Sequence, residues 1–180
     1  MKNIDMPIGL YEVFGEQQSI AEIIITIVFA LIGSALIYFC FYRPSHQEVT
    51  WMTILGLILV VDVLAGCIAN FTRGTNQFYS ERAKNRIIFI SIHIHILVIA
   101  WLLAAPMEYA VLVWAYTIGS AFLINYLKGH PLQMFFGAFF MCCGLLGLML
   151  MPIEQWFLIT SMFFMIKVVF SFAVDHYKKE

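Results

Sequence analysis

Charged side chains are what this chain has least of. Asp, Glu, Lys and Arg make up 12% of its 180 residues, against about 25% in a soluble domain. With 62% apolar residues and a mean hydropathy of +0.89, that shortage excludes a soluble globular class. Basic clusters able to follow a phosphate backbone are missing and the net charge is −1, so no nucleic-acid partner is expected. Residues 1–18 contain Asp5, Glu12 and Glu16 but no basic start, apolar core and small-residue cleavage site, so no cleaved signal peptide is expected. The four cysteines, Cys40, Cys67, Cys142 and Cys143, have neither paired-thiol metal spacing nor the pattern of a disulfide framework. Lying in apolar runs, they read as buried thiols. Serine and cysteine nucleophile motifs are lacking, as are Glu-X-X-His and His-Glu-X-X-His, so neither a metal nor a cofactor is called for.

What the chain does have is apolar length. Six spans are expected, at 19–42, 49–71, 87–104, 108–127, 132–151 and 153–175, giving an all-α integral membrane protein built as a compact six-helix bundle with short outer loops. The apolar stretches 87–127 and 132–175 are each about twice the roughly 20 residues that cross a bilayer, so each must fold back on itself. Pro106 and Pro152 mark the folds, and Pro44 and Pro131 mark two further turns. Lys2, Arg73, Arg82, Lys84, Arg86, Lys128, Lys178 and Lys179 then lie on the side of the termini, with only Arg43 opposite and Lys167 inside the last span. The positive-inside rule puts both termini in the cytosol and makes the plasma membrane the expected location.

Residues 1–18, with Ile4, Ile8, Tyr11 and Phe14, form a cytosolic or interfacial segment, 72–85 a cytosolic loop and 176–180 a basic tail. The lipid bilayer is the first partner. Anionic headgroups at the cytosolic face are the second, contacted by Arg73, Arg82, Lys84 and Arg86. Small residues such as Gly137, Gly144 and Gly147 form faces that let helices approach closely, within one chain or in a homo-oligomer.

An ionisable residue at membrane depth is costly and needs a partner, so Asp62, within the second span, is the first candidate for function. Counted at about 1.5 Å per residue, Asp62 and Lys167 lie roughly 13 Å from the cytosolic ends of their spans, and His93 and His95 about 10–13 Å from theirs. The four share a level. Asp62, Gly66 and Asn70 follow one helical stripe, as do Lys167, Ser171 and Asp175. Two residues advance a helix by about 200°, so a continuous helix would point His93 and His95 nearly opposite ways. That geometry disfavours a shared metal.

Three functions compete. A small transporter or channel-like permease would use Asp62, Asn70, His93, His95 and Lys167 as a proton-titratable site and would open a water-filled cavity to the cytosol at that level. An intramembrane enzyme would use a histidine as acid/base, Asp62 to orient it, and Arg82 and Arg86 to hold a lipid or small phosphate substrate. In an accessory subunit the Asp62–Lys167 pair would only fix helix register.

Overall fold

The computed structural model of the chain describes residues 3–46 and 48–177. Lys2, Lys178 and Lys179, which contribute to the charge asymmetry, and most of the basic tail lie outside the described residues. The fold is all-α apart from a small N-terminal ribbon in which β1 (Asn3–Asp5) pairs antiparallel with β2 (Gln17–Ser19), Ile4 opposite Gln18. The helices are α1 (Tyr11–Phe14), α2 (Ile20–Tyr42), α3 (Trp51–Ala69), α4 (Arg73–Ser80), α5 (Ala83–Leu102), α6 (Met107–Tyr126), α7 (Gln133–Met149) and α8 (Gln155–Phe172).

Local chemistry sets the helix starts. The Glu22 side chain accepts the Ser19 amide at 3.3 Å to begin α2, and the Thr50 hydroxyl accepts the Thr53 amide at 3.3 Å to begin α3. Pro106 immediately precedes α6, and Ala104 turns the chain there with a left-handed φ of 58°. Long apolar runs carry the helices onward because in lipid every backbone amide must be satisfied within its own segment.

Five helices, α2, α3, α5, α6 and α8, are long and apolar enough to cross a membrane. The chain is thus a multi-pass membrane protein in contact with lipid. The sixth expected span is present as an apolar helix, but α7 covers only 17 residues, about 26 Å at 1.5 Å per residue. Leu150 and Met151, counted as helical in the sequence reading, belong to the turn before Pro152.

The last helix is the hub. In its most apolar stretch α8 is 61% buried, against 22% for α2, and it packs against α2, α3, α5, α6 and α7. Phe157, Phe164, Val168 and Val169 of α8 are fully buried in one core cluster that also contains Val60 and Val63 of α3, Ile96 and Ile99 of α5, and Val113 and Ile124 of α6. Of the four free thiols only Cys67 is buried. Cys40, Cys142 and Cys143 are on the exterior, because an apolar face turned to lipid carries the same residue types as a core.

Residues 72–85, expected as a loop, contain α4 and the start of α5. The Thr72 hydroxyl accepts the Thr75 amide to begin α4, and Thr75, Phe78 and Tyr79 recur on one buried face. The N-terminal segment docks on that helix and on Arg82 just beyond it. Tyr79 donates to the Glu12 carbonyl at 3.1 Å, Thr75 to Val13 at 2.9 Å, and Arg82 pairs with Glu16 at 2.6 Å. A Cβ on Gly15, at φ 72°, would run into the Gly74 backbone, and one on Gly74 would run into the Gln17 and Phe14 carbonyls.

Candidate functional site

Backbone irregularity marks the polar level. α5 is interrupted at His93–Ile94, where ψ of His93 is 69° and ψ of Ile94 is 6°. The His93 amide turns to Ile90 O at 3.4 Å, and the Phe89 carbonyl it would normally reach accepts from His93 Nδ1 instead. α8 is α-helical as far as Met165 and then widens into π-helical turns over Ile166–Phe172. Ala173 N, just beyond them, donates to Val168 O at 3.1 Å. Such widened turns are frequent at functional sites. Lys167 lies in the first of them.

The side chains converge across these two irregular segments. Lys167 Nζ donates to Asp62 Oδ2 at 2.7 Å and to the Asp62 carbonyl at 3.3 Å. His95 Nε2 is 3.7 Å from the same Oδ2, beyond a direct hydrogen bond but within reach of an ion pair. The His93 and His95 rings are 5.1 Å apart. Their expected opposition does not occur, because the interruption removes the regular advance per residue on which it depended. Asn70 Nδ2 donates to Lys167 O at 3.3 Å, and Ser171 Oγ donates to the same carbonyl at 3.0 Å. Gly66 completes the site by having no side chain: a Cβ there would lie 2.8 Å from Lys167 Nζ and closer still to Cε.

Burial within the site is uneven. The Lys167 side chain is 4% exposed, that of His95 28%, and that of Asp62 50%. The carboxylate was expected inside the bundle, yet it stands at the outer surface of α3 with the ammonium behind it. Neither of the two clefts among the described residues lies at the level where a cytosol-facing cavity was expected. Clefts of about 390 and 290 Å³ occur where the N-terminal segment, α4 and the residues after α8 gather, and Asp62, His93, His95 and Lys167 line neither. The site opens sideways.

The basic residues divide. Arg73 and Lys84 are exposed. Arg82 is held by Glu16, by the Phe78 carbonyl at 3.0 Å and by the Phe78 ring, 4.2 Å from its guanidinium. Arg86, grouped in sequence with the headgroup-facing cations, is instead 1% exposed. It donates to Asn125 Oδ1 at 2.9 Å and to Ala173 O at 2.8 Å. Gln133 also donates to Ala173 O, and Asn76 to Val174 O, both at 3.1 Å. Three side chains from α4, α5 and α7 thus satisfy the carbonyls left open at the end of α8. Sequence reading missed Asn76, Asn125 and Gln133; Asn125 and Gln133 carried a signal, an amide at the end of an apolar run, whereas Asn76 sits beside Gln77 in a polar segment and carried none. Nearby, Lys128 donates to Ser80 O, and burial, helped by Arg86, holds its ammonium below the ordinary lysine range despite the opposing effect of Asp175.

Chemically, the polar level offers one carboxylate with an ammonium and an imidazole competing for the same oxygen, a set that can exchange protons or ionic partners. Among the described residues no group of three or more His, Cys, Asp or Glu side chains is placed to hold a metal ion. Comparison with known protein families, characterised proteins and solved structures returned no match to this chain.

Proposed function

We propose that this multi-pass protein is a small permease with six crossings and both termini in the cytosol, and that protonation at the Asp62–His95–Lys167 cluster drives its cycle. The observation that carries the reading is the meeting of an interrupted α5 and a widened α8 at the level of a paired carboxylate. Broken helices at membrane depth are tolerated where they serve a binding or conduction site, because freed backbone groups must otherwise find costly substitutes. A pair that only fixed register would do better as apolar packing, since burying an ammonium costs several kcal/mol. His95 supplies a second proton acceptor beside the carboxylate, and Asn70 holds the backbone from which Lys167 extends.

Proteoliposomes on a solid support, subjected to a pH jump, test this without knowledge of the substrate. Wild-type protein should give a transient charge displacement that is lost in Asp62→Asn. A wild-type signal no larger than that of protein-free liposomes would overturn the permease reading.

A further inference from the structure

Asp62 lies on a stripe that is otherwise apolar and exposed. Trp51, Leu55 and Ile58 precede it at helical spacing and are 64%, 45% and 58% exposed. Beside the interruption of α5, Ile92 and Ile94 are 58% and 48% exposed. The stripe from Trp51 to Asp62 runs about 16 Å along α3. At its foot Asp62 Oδ2 serves Lys167 and His95, while Oδ1 has no hydrogen-bond partner among the described residues. A carboxylate oxygen only accepts, so what approaches from the side must bring a donor. An anionic head would meet the carboxylate first, because the Lys167 ammonium is buried behind it. A second copy packed two-fold on this stripe would oppose two Asp62 carboxylates.

We propose that this exposed stripe takes a membrane-partitioned amphiphile with a protonated amine head, its ammonium on Asp62 and its alkyl chain along Ile58, Leu55 and Trp51. The assignment rests on the permease reading of the same site and adds to it the class of substrate and the direction of entry. With the termini in the cytosol, the head lies about 3 Å to the cytosolic side of the middle of α3 and the chain runs from it toward the outer end of that helix. The incoming ammonium competes with Lys167 for the carboxylate, which links occupancy of the stripe to the ion pair.

The test uses full-length protein in lipid nanodiscs at pH 8, with dodecylamine carrying a dansyl group remote from the amine, and its N-acetylated analogue as the uncharged control. Wild-type protein should bind the amine at least about tenfold tighter than the amide. The preference should vanish in Asp62→Asn and persist in Lys167→Met. Equal binding of the two probes by wild type, or a preference that survives Asp62→Asn, overturns the proposal. If Asp62→Asn does not accumulate, the double variant Asp62→Asn/Lys167→Met, which leaves no charge unpaired, provides the same comparison. A pH-jump signal without amine preference would refute the amphiphile while leaving the permease standing. Amine preference without that signal would support the amphiphile site and remove the permease. A wild-type dimer that becomes monomeric in Asp62→Asn would give the stripe to a second copy and overturn the amine assignment.

Discussion

At Gly66 a missing side chain decides whether the ion pair can form. The aliphatic stem of Lys167 fills the space where a Cβ would project, and only from there does Nζ reach Asp62 at 2.7 Å. Gly66→Ala should therefore dislodge the ammonium as well as overpack the helix contact, a loss of about 1–3 kcal/mol for the overpacking. In a Lys167→Ala background the obstructed stem is gone, and the same change should cost under about 0.5 kcal/mol, as expected once the two sites no longer interact. Thermal unfolding of the four proteins in detergent gives the coupling; additive losses would mean that Gly66 does not serve the pair. Asp62→Asn leaves the buried ammonium without its partner, for which about 3 kcal/mol is expected. Asp62→Asn/Lys167→Met should recover much of that stability but not the pH-jump signal. Recovery of both would reduce the pair to a packing device.

Helices, unlike single side chains, were mostly legible in the sequence, and the exceptions have physical causes. Apolar runs and the prolines at 106 and 152 located α2, α3, α6 and α8 to within a few residues, because lipid allows few alternatives to a continuous helix. Depth counting brought Asp62 and Lys167 to one level, and the structure joins them. It could not foresee that Asp62 stands half-exposed, since period and depth do not say which neighbour covers a face. α4 was hidden by Gly74, Asn76 and Ser80, weak helix formers whose segment is held by tertiary contact with the N-terminus and with Val174. The interruption of α5 falls in Ile92-His93-Ile94-His95-Ile96, without glycine or proline to announce it. Its visible support is the His93 ring, which donates to the Phe89 carbonyl in place of an amide. His93→Ala should leave that carbonyl unsatisfied and cost about 1–3 kcal/mol. His93→Asn, whose side-chain amide can still donate, should lose less. Equal unfolding temperatures for the two variants would show that the hydrogen bond does not hold the break.

For the molecule as a whole, the number of crossings is tied to where the ends of the chain meet. Tyr79 of α4 donates to Glu12, before the first long helix, while Asn76 of the same α4 donates to Val174, after the last, at 3.1 Å each. Tyr177 donates to Phe71 at 2.8 Å, again beside α4. Both ends of the bundle's course therefore gather at one face, and only an even number of crossings returns a chain to the side from which it started. Five long helices alone would be odd, so the proposed six-crossing arrangement requires α7 to cross as well. Its ordered length of about 26 Å falls short of a hydrocarbon core of about 30 Å, a mismatch that local thinning or the apolar flanks Leu132, Leu150 and Met151 can absorb at modest cost. Arg73, Lys84 and Lys128 lie toward the face that carries the chain ends and Arg43 toward the other, the asymmetry on which the proposed cytosolic placement of that first face rests. Single cysteines introduced as Arg43→Cys, Lys84→Cys, His130→Cys and Glu154→Cys, in a background lacking the four native thiols, test both points. A membrane-impermeant maleimide applied to intact cells should label positions 43 and 154, and should reach 84 and 130 only after the membrane is opened. Labelling of 84 but not 43 would invert the orientation. Equal labelling of 130 and 154 would show that α7 dips into the bilayer without crossing it, and the six-crossing arrangement would fall.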